Sequence, residues 1–251
     1  MSSYRLVFIH GFLEDASMWK LIVDGLTKNG SLVSTPELPG HGENTFIPKE
    51  KTAESYCQNI LDQLSLSPDE KIFIIAHSMG GYLSATLAAM IPEQIVGLCM
   101  FHAKAGKDSA EKIEERKRAI IAATANKDLY VSTVIKNIYF EGSRERCKKE
   151  IQRQIKNAKK LSIEAITSAQ EVMIQRPDQI ESMKSRNFSL FYFLGDNDAS
   201  LPLDVMNAEL AQLPGALTYF SDESGHMGHY ASTREALVFL QRALNITRET
   251  N

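Results

Sequence analysis

The chain lacks the features that would tie it to a membrane, a nucleic acid or an oxidising compartment. Its three cysteines, Cys57, Cys99 and Cys147, are odd in number and widely spaced among 251 residues, which fits reduced structural thiols and not a disulfide framework. No stretch approaches the roughly 18 apolar residues that a membrane-crossing helix requires. The run Leu6-Val7-Phe8-Ile9 is far too short for the core of a signal peptide and leads into a glycine turn, so no export and a cytoplasmic location are expected. A net charge of −3 gives no pull toward nucleic acid or an anionic membrane. Metal-ligand clusters, phosphate-binding glycine loops and dinucleotide fingerprints are missing, and with them any implied cofactor or metal. Internal repeats, low-complexity tracts and proline-rich linkers are missing too.

What is present is material for one large core, with 43% of residues hydrophobic. Short β-branched and aromatic runs fall at 4–9, 31–35, 71–76, 95–101, 188–194 and 216–220. Helix-period segments alternate with them, the pattern of a parallel α/β sheet. The unbroken apolar character of Phe191-Tyr192-Phe193-Leu194 fits strands covered on both faces. Helices are expected over Met18 to Lys28, Ala53 to Leu64, Tyr82 to Met90, Val205 to Leu213 and Thr233 to Leu244, with Pro92 and Pro214 just past two of them.

Residues 105–186 carry little strand signal and are far longer than an ordinary connection. Apolar stripes are expected at Leu129, Val134, Ile135 and Ile138, at Cys147, Ile151 and Ile155, and at Ile163, Ile166 and Met173. Residues 104–186 hold 19 Lys and Arg against 12 Asp and Glu, a net +7, while the remainder carries −10. The segment is expected to form a helical lid over the carboxyl ends of the strands, where open α/β sheets bind ligands. Residues 1–104 and 187–251 would then form the core. The alternative is a separate binding domain, although no linker flanks the segment.

The most specific chemical signal is Ala76-His77-Ser78-Met79-Gly80. It follows the run Lys71 to Ile75 and precedes Gly81-Tyr82-Leu83, so a serine sits on a sharp strand-to-helix turn, the arrangement of a nucleophile elbow. Such a turn draws strand and helix together and leaves little room at Ala76 and Gly80; glycine is usual at both places, and Ala76 adds one methyl group. A serine hydroxyl is a poor nucleophile near neutrality until a base takes its proton, and the turn lifts Oγ to where a base can reach it. An ordinary turn serine is the plainer alternative, which the flanking strand and helix weaken. The chemistry further needs an imidazole, an acid to orient it and donors for an oxyanion. Gly195-Asp196-Asn197-Asp198 follows the fifth run and Ser224-Gly225-His226-Met227-Gly228-His229 the sixth, offering two acids and two bases.

With His10-Gly11-Phe12 after the first strand and Leu38-Pro39-Gly40-His41-Gly42 after the second, these motifs run in order along nearly the whole chain. The sequence resembles the α/β-hydrolase fold superfamily, in its capped, soluble, esterase-like subgroup. The resemblance implies an α/β-hydrolase fold: about six strands, mostly parallel and flanked by helices, with the lid inserted after the fourth. No counterpart is expected for the two amino-terminal strands often found in that superfamily. Ser78 is the implied nucleophile. Asp198, which matches the family spacing between strand-end glycine and proline, is the implied acid, and His226, in the Gly-His motif, the implied base. Some relatives carry the acid after the fourth strand, where this chain reads His102-Ala103-Lys104. Backbone N–H groups of Phe12 and Met79 would form the oxyanion hole, Met79 opening a helix whose dipole adds favourable potential.

Dehalogenases and epoxide hydrolases of this fold use a carboxylate at the elbow, so Ser78 favours acyl chemistry. The implied activity is hydrolysis of a small-molecule carboxylic ester or thioester through an acyl-enzyme, with no cofactor. The alternatives keep the triad for carbon–carbon bond hydrolysis or an elimination like that of menaquinone-pathway lyases, or leave a non-catalytic binding protein. His102 is expected at the pocket rim, as a substrate contact or an ordinary polar residue, and Tyr130, Ile135, Phe140 and Met173 as acyl-pocket lining or ordinary helix packing. Lys148, Lys149, Arg153, Lys156, Lys159 and Lys160 would steer an anionic or carrier-linked substrate, or merely solvate a helical face. His10 and His41 are expected to fix loops, His77 to flank the elbow, His229 to pack nearby or meet solvent, and Asp196 to cap its turn.

Overall fold

Each apolar run read from the sequence overlaps a strand in the computed structural model, which describes residues 4–27 and 32–250, with β3, β5 and β6 each ending one residue past the expected run. The strands are β1 (Arg5–Ile9), β2 (Val33–Ser34), β3 (Ile72–His77), β4 (Ile95–Phe101), β5 (Ser189–Gly195) and β6 (Leu217–Ser221). They pair parallel throughout in the order β2-β1-β3-β4-β5-β6. Residue 31 of the second run and Lys28 of the first expected helix lie outside the described residues. The strand order reverses between β1 and β3, and a crevice opens at the carboxyl ends of strands at such a reversal.

The helices are α1 (Lys20–Leu26), α2 (Ala53–Leu64), α3 (Met79–Met90), α4 (Ala110–Ala125), α5 (Lys127–Ile138), α6 (Lys148–Ala158), α7 (Ile163–Gln175), α8 (Ile180–Lys184), α9 (Leu203–Leu210), α10 (Gly228–Ala231) and α11 (Thr233–Thr250). Successive side chains of a strand point to opposite faces. Val7, Ile9, Ile72, Ile74, Leu98 and Met100 therefore meet α2 and α3, whereas Leu6, Phe8, Phe73, Ile75, Cys99 and Phe101 meet α1 and α11. None of the described helices is long and apolar enough to cross a membrane.

Helix α3 begins at Met79, three residues before the expected Tyr82, because Gly80 and Gly81 serve close packing here and do not break the helix. A Cβ on Gly80 would lie 2.4 Å from the His10 carbonyl oxygen, and one on Gly81 would lie 2.3 Å from Ala103 Cβ. Helix α11 runs six residues beyond the expected Leu244, and α9 begins two residues before Val205, directly after Pro202.

Residues 105–186 are helical, with α4 packed on α5 and α7, and α5 on α6. Many of their apolar side chains form a third cluster that also takes in Leu13 and Met227 from loops beyond β1 and β6, and Ala231 from α10. The stripe on α5 is rotated from expectation: Val131 and Ile135, one turn apart, are buried, while Leu129 in the first turn is 64% exposed. Ile163, at the first position of α7, is likewise exposed. Lys148, Lys149, Arg153, Lys156 and Lys160 lie on an exposed face along and just beyond α6, opposite Ile151 and Ala158.

Two buried polar anchors hold this helical segment together and fix it to the core. The Glu209 carboxylate accepts the N–H groups of Ala105 (2.7 Å) and Gly106 (3.0 Å) and the Tyr192 hydroxyl (2.9 Å). Asp108 accepts Arg116 Nε at 2.6 Å and Arg176 Nη2 at 2.9 Å, and the Arg176 guanidinium lies 3.8 Å from the centre of the Tyr82 ring on α3. Both carboxylates are acceptor-only; Asp108 faces charged donors and Glu209 faces amide and hydroxyl donors, the condition for burying them without large cost.

Candidate active site

The turn after β3 holds Ser78 at φ 50° and ψ −116°, a positive φ that a residue with a side chain adopts only under strain. Its N–H donates to Phe101 O at 3.1 Å, and its carbonyl accepts Gly81 and Tyr82 N–H at 2.9 and 3.1 Å. The backbone is thus tied down on both sides while the hydroxyl caps no helix N–H. That hydroxyl instead donates to His226 Nε2, 2.8 Å away. His226 Nδ1–H donates to Asp198 Oδ2 at 2.7 Å, which fixes the tautomer with a free lone pair toward the serine.

Asp198 sits in the loop beyond β5 and is nearly inaccessible. Its Oδ1 accepts the N–H groups of Ser200 (2.9 Å) and Leu201 (3.2 Å). Burial alone would raise this carboxyl, but the His226 charge and the hydrogen bonds from His102 and His226 outweigh it and hold the group well below the usual carboxylate range. Asp196 is exposed and stands outside this cluster. Gly195 makes the approach of the two loops possible, since a Cβ there would lie 2.4 Å from the Ser224 carbonyl oxygen.

His102 departs from expectation. It is 0% exposed and lies beneath the loops, not at a pocket rim, with Nδ1 at 3.2 Å from the same Asp198 Oδ2 that His226 uses. The reason is local: its N–H continues the strand pattern to Phe193 O at 2.8 Å, and φ of 48° swings the side chain toward Asp198. Burial, opposed by the Asp198 hydrogen bond and charge, lowers its imidazole to about 4. His229 is also wholly buried, against Trp19, His77 and Tyr230, and burial pushes its imidazole well below the ordinary value.

The Gly11-Phe12 segment comes up against the nucleophile: a Cβ on Gly11 would lie 3.2 Å from Ser78 Cβ. Met79 is the first residue of α3, so its N–H has no intrahelical acceptor. His10 Nδ1–H donates to Gly11 O at 2.9 Å while Nε2 accepts Leu38 N–H at 3.0 Å, and His41 Nδ1–H donates to Pro39 O at 2.9 Å. Burial, followed by the His10 charge, lowers His41 to about 4. Above the site, His226 N–H donates to Ile138 O at the end of α5 (3.1 Å), and Phe140 packs so closely on Gly225 that a Cβ there would lie 3.0 Å from Phe140 Cβ. Tyr130 is half-buried and its hydroxyl accepts Gln170 Nε2 at 3.0 Å. A cleft of about 490 Å³ opens between the Gly40–Ile47 loop and residues 157–162, reaching Glu14 but not bounded by Ser78. Glu14 is the buried group that sequence reading missed; its one signal was a carboxylate directly after the apolar pair Phe12-Leu13.

Comparison with known proteins decides the family, because the family model of the alpha/beta hydrolase fold matches residues 4–232. The chain belongs to the alpha/beta hydrolase fold family. Methylesterase 7 of Arabidopsis thaliana is 35% identical over 98 residues, 38% of this chain and 37% of that protein. The chain thus spans little more than a third of the length of that curated relative. Among solved structures, a thermophilic esterase from Thermogutta terrifontis has a TM-score of 0.87 at 22% identity, covering 98% of this chain and 91% of that one. The enol-lactonase from Burkholderia xenovorans LB400 has a TM-score of 0.84 at 18% identity, covering 98% and 92%. These structures share the fold of this chain.

Burial of His41 and His102 as neutral rings sets an acid limit on stability, which His77, whose value is raised, opposes. His41 and His102 titrate near 4 when folded and near 6.5 when unfolded, so only the unfolded chain gains protons between those values. Stability is therefore present above about pH 6.5 and lost as pH falls toward 4, on the order of 3 kcal/mol for each histidine. Asp108 and Asp198, both lowered, extend the loss below that window. Urea midpoints at pH 7, 5.5 and 4.5 are expected to fall steadily; equal midpoints would show that these histidines are not buried as neutral rings.

Proposed function

We propose that this hydrolase is a serine carboxylic-ester hydrolase that cleaves an ester or thioester through an acyl-enzyme. One observation carries the reading: Ser78 Oγ, His226 and Asp198 form a continuous line of hydrogen bonds, 2.8 and 2.7 Å long, with the Nε2 lone pair aimed at the hydroxyl. In this mechanism His226 takes the Ser78 proton as Oγ attacks the carbonyl carbon. The N–H groups of Phe12 and Met79 hold the resulting oxyanion. The protonated imidazole then gives its proton to the leaving alcohol or thiol, and Asp198 stabilises its charge in the interval. Water activated by the same imidazole attacks the acyl group, releasing the acid and restoring Ser78. The methylesterase relative, named for ester chemistry, supports the substrate class.

In this reading, residues 105–186 act as a lid, supported by the bond from His226 N–H to the end of α5 and by Phe140 against Gly225. Tyr130 and Phe140 line the acyl side of the pocket. A cytoplasmic location is supported by three buried free thiols.

A fluorophosphonate probe read by intact mass, run beside p-nitrophenyl esters of graded chain length, tests the proposal. The expected result is a single adduct and ester turnover, both absent from a folded Ser78→Ala variant. Labelling that persists in Ser78→Ala would sink the assignment. Ser78-dependent labelling without turnover of any ester would instead move the chemistry to carbon–carbon cleavage or elimination.

A further inference from the structure

Beneath the site lies a buried carboxylate–imidazole pair that the ester mechanism does not use. Glu14, on the loop after β1, directs Oε2 to two donors: Gly11 N–H at 3.0 Å and His77 Nδ1 at 2.9 Å. The other ring nitrogen of His77, Nε2, lies 2.8 Å from the main-chain oxygen of His226. Both side chains are almost wholly inaccessible, 2% each. Both ring nitrogens of His77 therefore face acceptors, and a ring that donates from both is an imidazolium, balanced by the Glu14 carboxylate. Burial opposes that charge, but Glu14 overcomes it by Coulomb attraction and its hydrogen bond, and raises His77 above the ordinary histidine value. Glu14 is in turn held low, against burial, chiefly by His77.

The bonds join three segments that are remote in sequence. One carries Phe12, one carries Ser78 directly after His77, and one carries His226. Glycine at position 11 is a condition of the junction, since a Cβ there would lie 2.7 Å from His77 Nδ1 and 2.9 Å from Glu14 Oε2. We propose that Glu14 and His77 are positioning residues that lock the Gly11-Phe12 loop and the His226 main chain to the elbow, keeping oxyanion donors and base in register around Ser78. The inference rests on the ester-hydrolase reading. A fixed ion pair suits the task because it is directional at both ends and cannot be exchanged for water at such depth.

The test uses Glu14→Gln, His77→Gln and the double variant Glu14→Gln/His77→Gln, which replaces the ion pair by neutral amides. For each, active sites are titrated with the fluorophosphonate, and kcat per titrated site and KM are measured on a p-nitrophenyl ester alongside the thermal midpoint. Misplacing reacting groups by an ångström costs about 100-fold, so kcat per titrated site is expected to fall by about that factor in each single variant. KM should stay within about 3-fold, since ground-state binding does not depend on the relay. A merely structural pair would lower the titrated fraction and the midpoint while leaving kcat per site unchanged, and that result in any folded variant overturns the inference. Failure of all three to fold would overturn it equally, assigning the pair to stability alone. If the wild-type protein shows no Ser78-dependent labelling, the ester-hydrolase reading itself has failed; labelled wild-type with unaffected variants removes only the relay.

Discussion

His226→Ala is expected to lower ester turnover by about 10⁵- to 10⁶-fold in a protein that still folds. The size of the effect follows from how the surrounding imidazoles are committed. His77 uses both ring nitrogens, on Glu14 and on the His226 main chain. His102 spends Nδ1 on Asp198, and its Nε2 edge packs on Gly228, where an added Cβ would lie 2.4 Å away. His229 is wholly buried beside Trp19 and Tyr230. Only His226 turns a lone pair to Ser78, so none of these three can take over as base. Folding should survive, because the His226 main-chain bonds to Ile138 and His77 do not involve its side chain, and Asp198 keeps its two backbone donors and His102. Stopped-flow acylation by a p-nitrophenyl ester, with the fluorophosphonate labelling rate measured in parallel, checks the prediction. Both rates should fall together to the residual that backbone donors and binding supply, roughly 10³- to 10⁴-fold above water. A loss smaller than about tenfold would assign the proton to another group.

The parts of this design that were readable from sequence are those that local chemistry fixes. Strand positions followed from apolar runs because the central strands β1, β3, β4 and β5 are covered on both faces, and Phe191 to Leu194 are buried without exception. The elbow was readable because the crowding at Gly80, two positions past the strained Ser78, requires a small residue there. Helix register in residues 105–186 was less readable. Several faces there are partly apolar, and tertiary packing against Leu13 and Met227, not the pattern itself, selected Val131 over Leu129. The relay of Glu14 and His77 was not readable at all, since the two are 63 positions apart and nothing in either neighbourhood marks the other as a partner. His102 failed for the same reason: its place at a strand end was visible, but the positive φ that turns it onto Asp198 was not.

Asp198→Asn is expected to lower kcat by about 10⁴-fold, and the hydrogen-bond inventory explains why shape alone does not rescue it. The amide oxygen would take the place of Oδ1, where Ser200 and Leu201 N–H groups demand an acceptor. The amide NH₂ must then replace Oδ2, which faces Nδ1 of both His226 and His102. Donor would meet donor at two rings. His226 is relieved by moving its proton to Nε2, which leaves a lone pair toward residue 198 and an N–H toward Ser78, the wrong tautomer for a base. His102 must make the same exchange and present Nε2–H to the crowded side of Gly228. The buried mismatch should also cost about 1–3 kcal/mol of stability, so turnover is measured per fluorophosphonate-titrated site at a temperature well below the midpoint. Asp196→Asn, altering an exposed side chain two residues away, should leave turnover within about 2-fold because surface substitutions rarely exceed 0.5 kcal/mol. A reversed pattern, with Asp196→Asn the damaging change, would transfer the acid to Asp196 and require the loop beyond β5 to rearrange in the working enzyme.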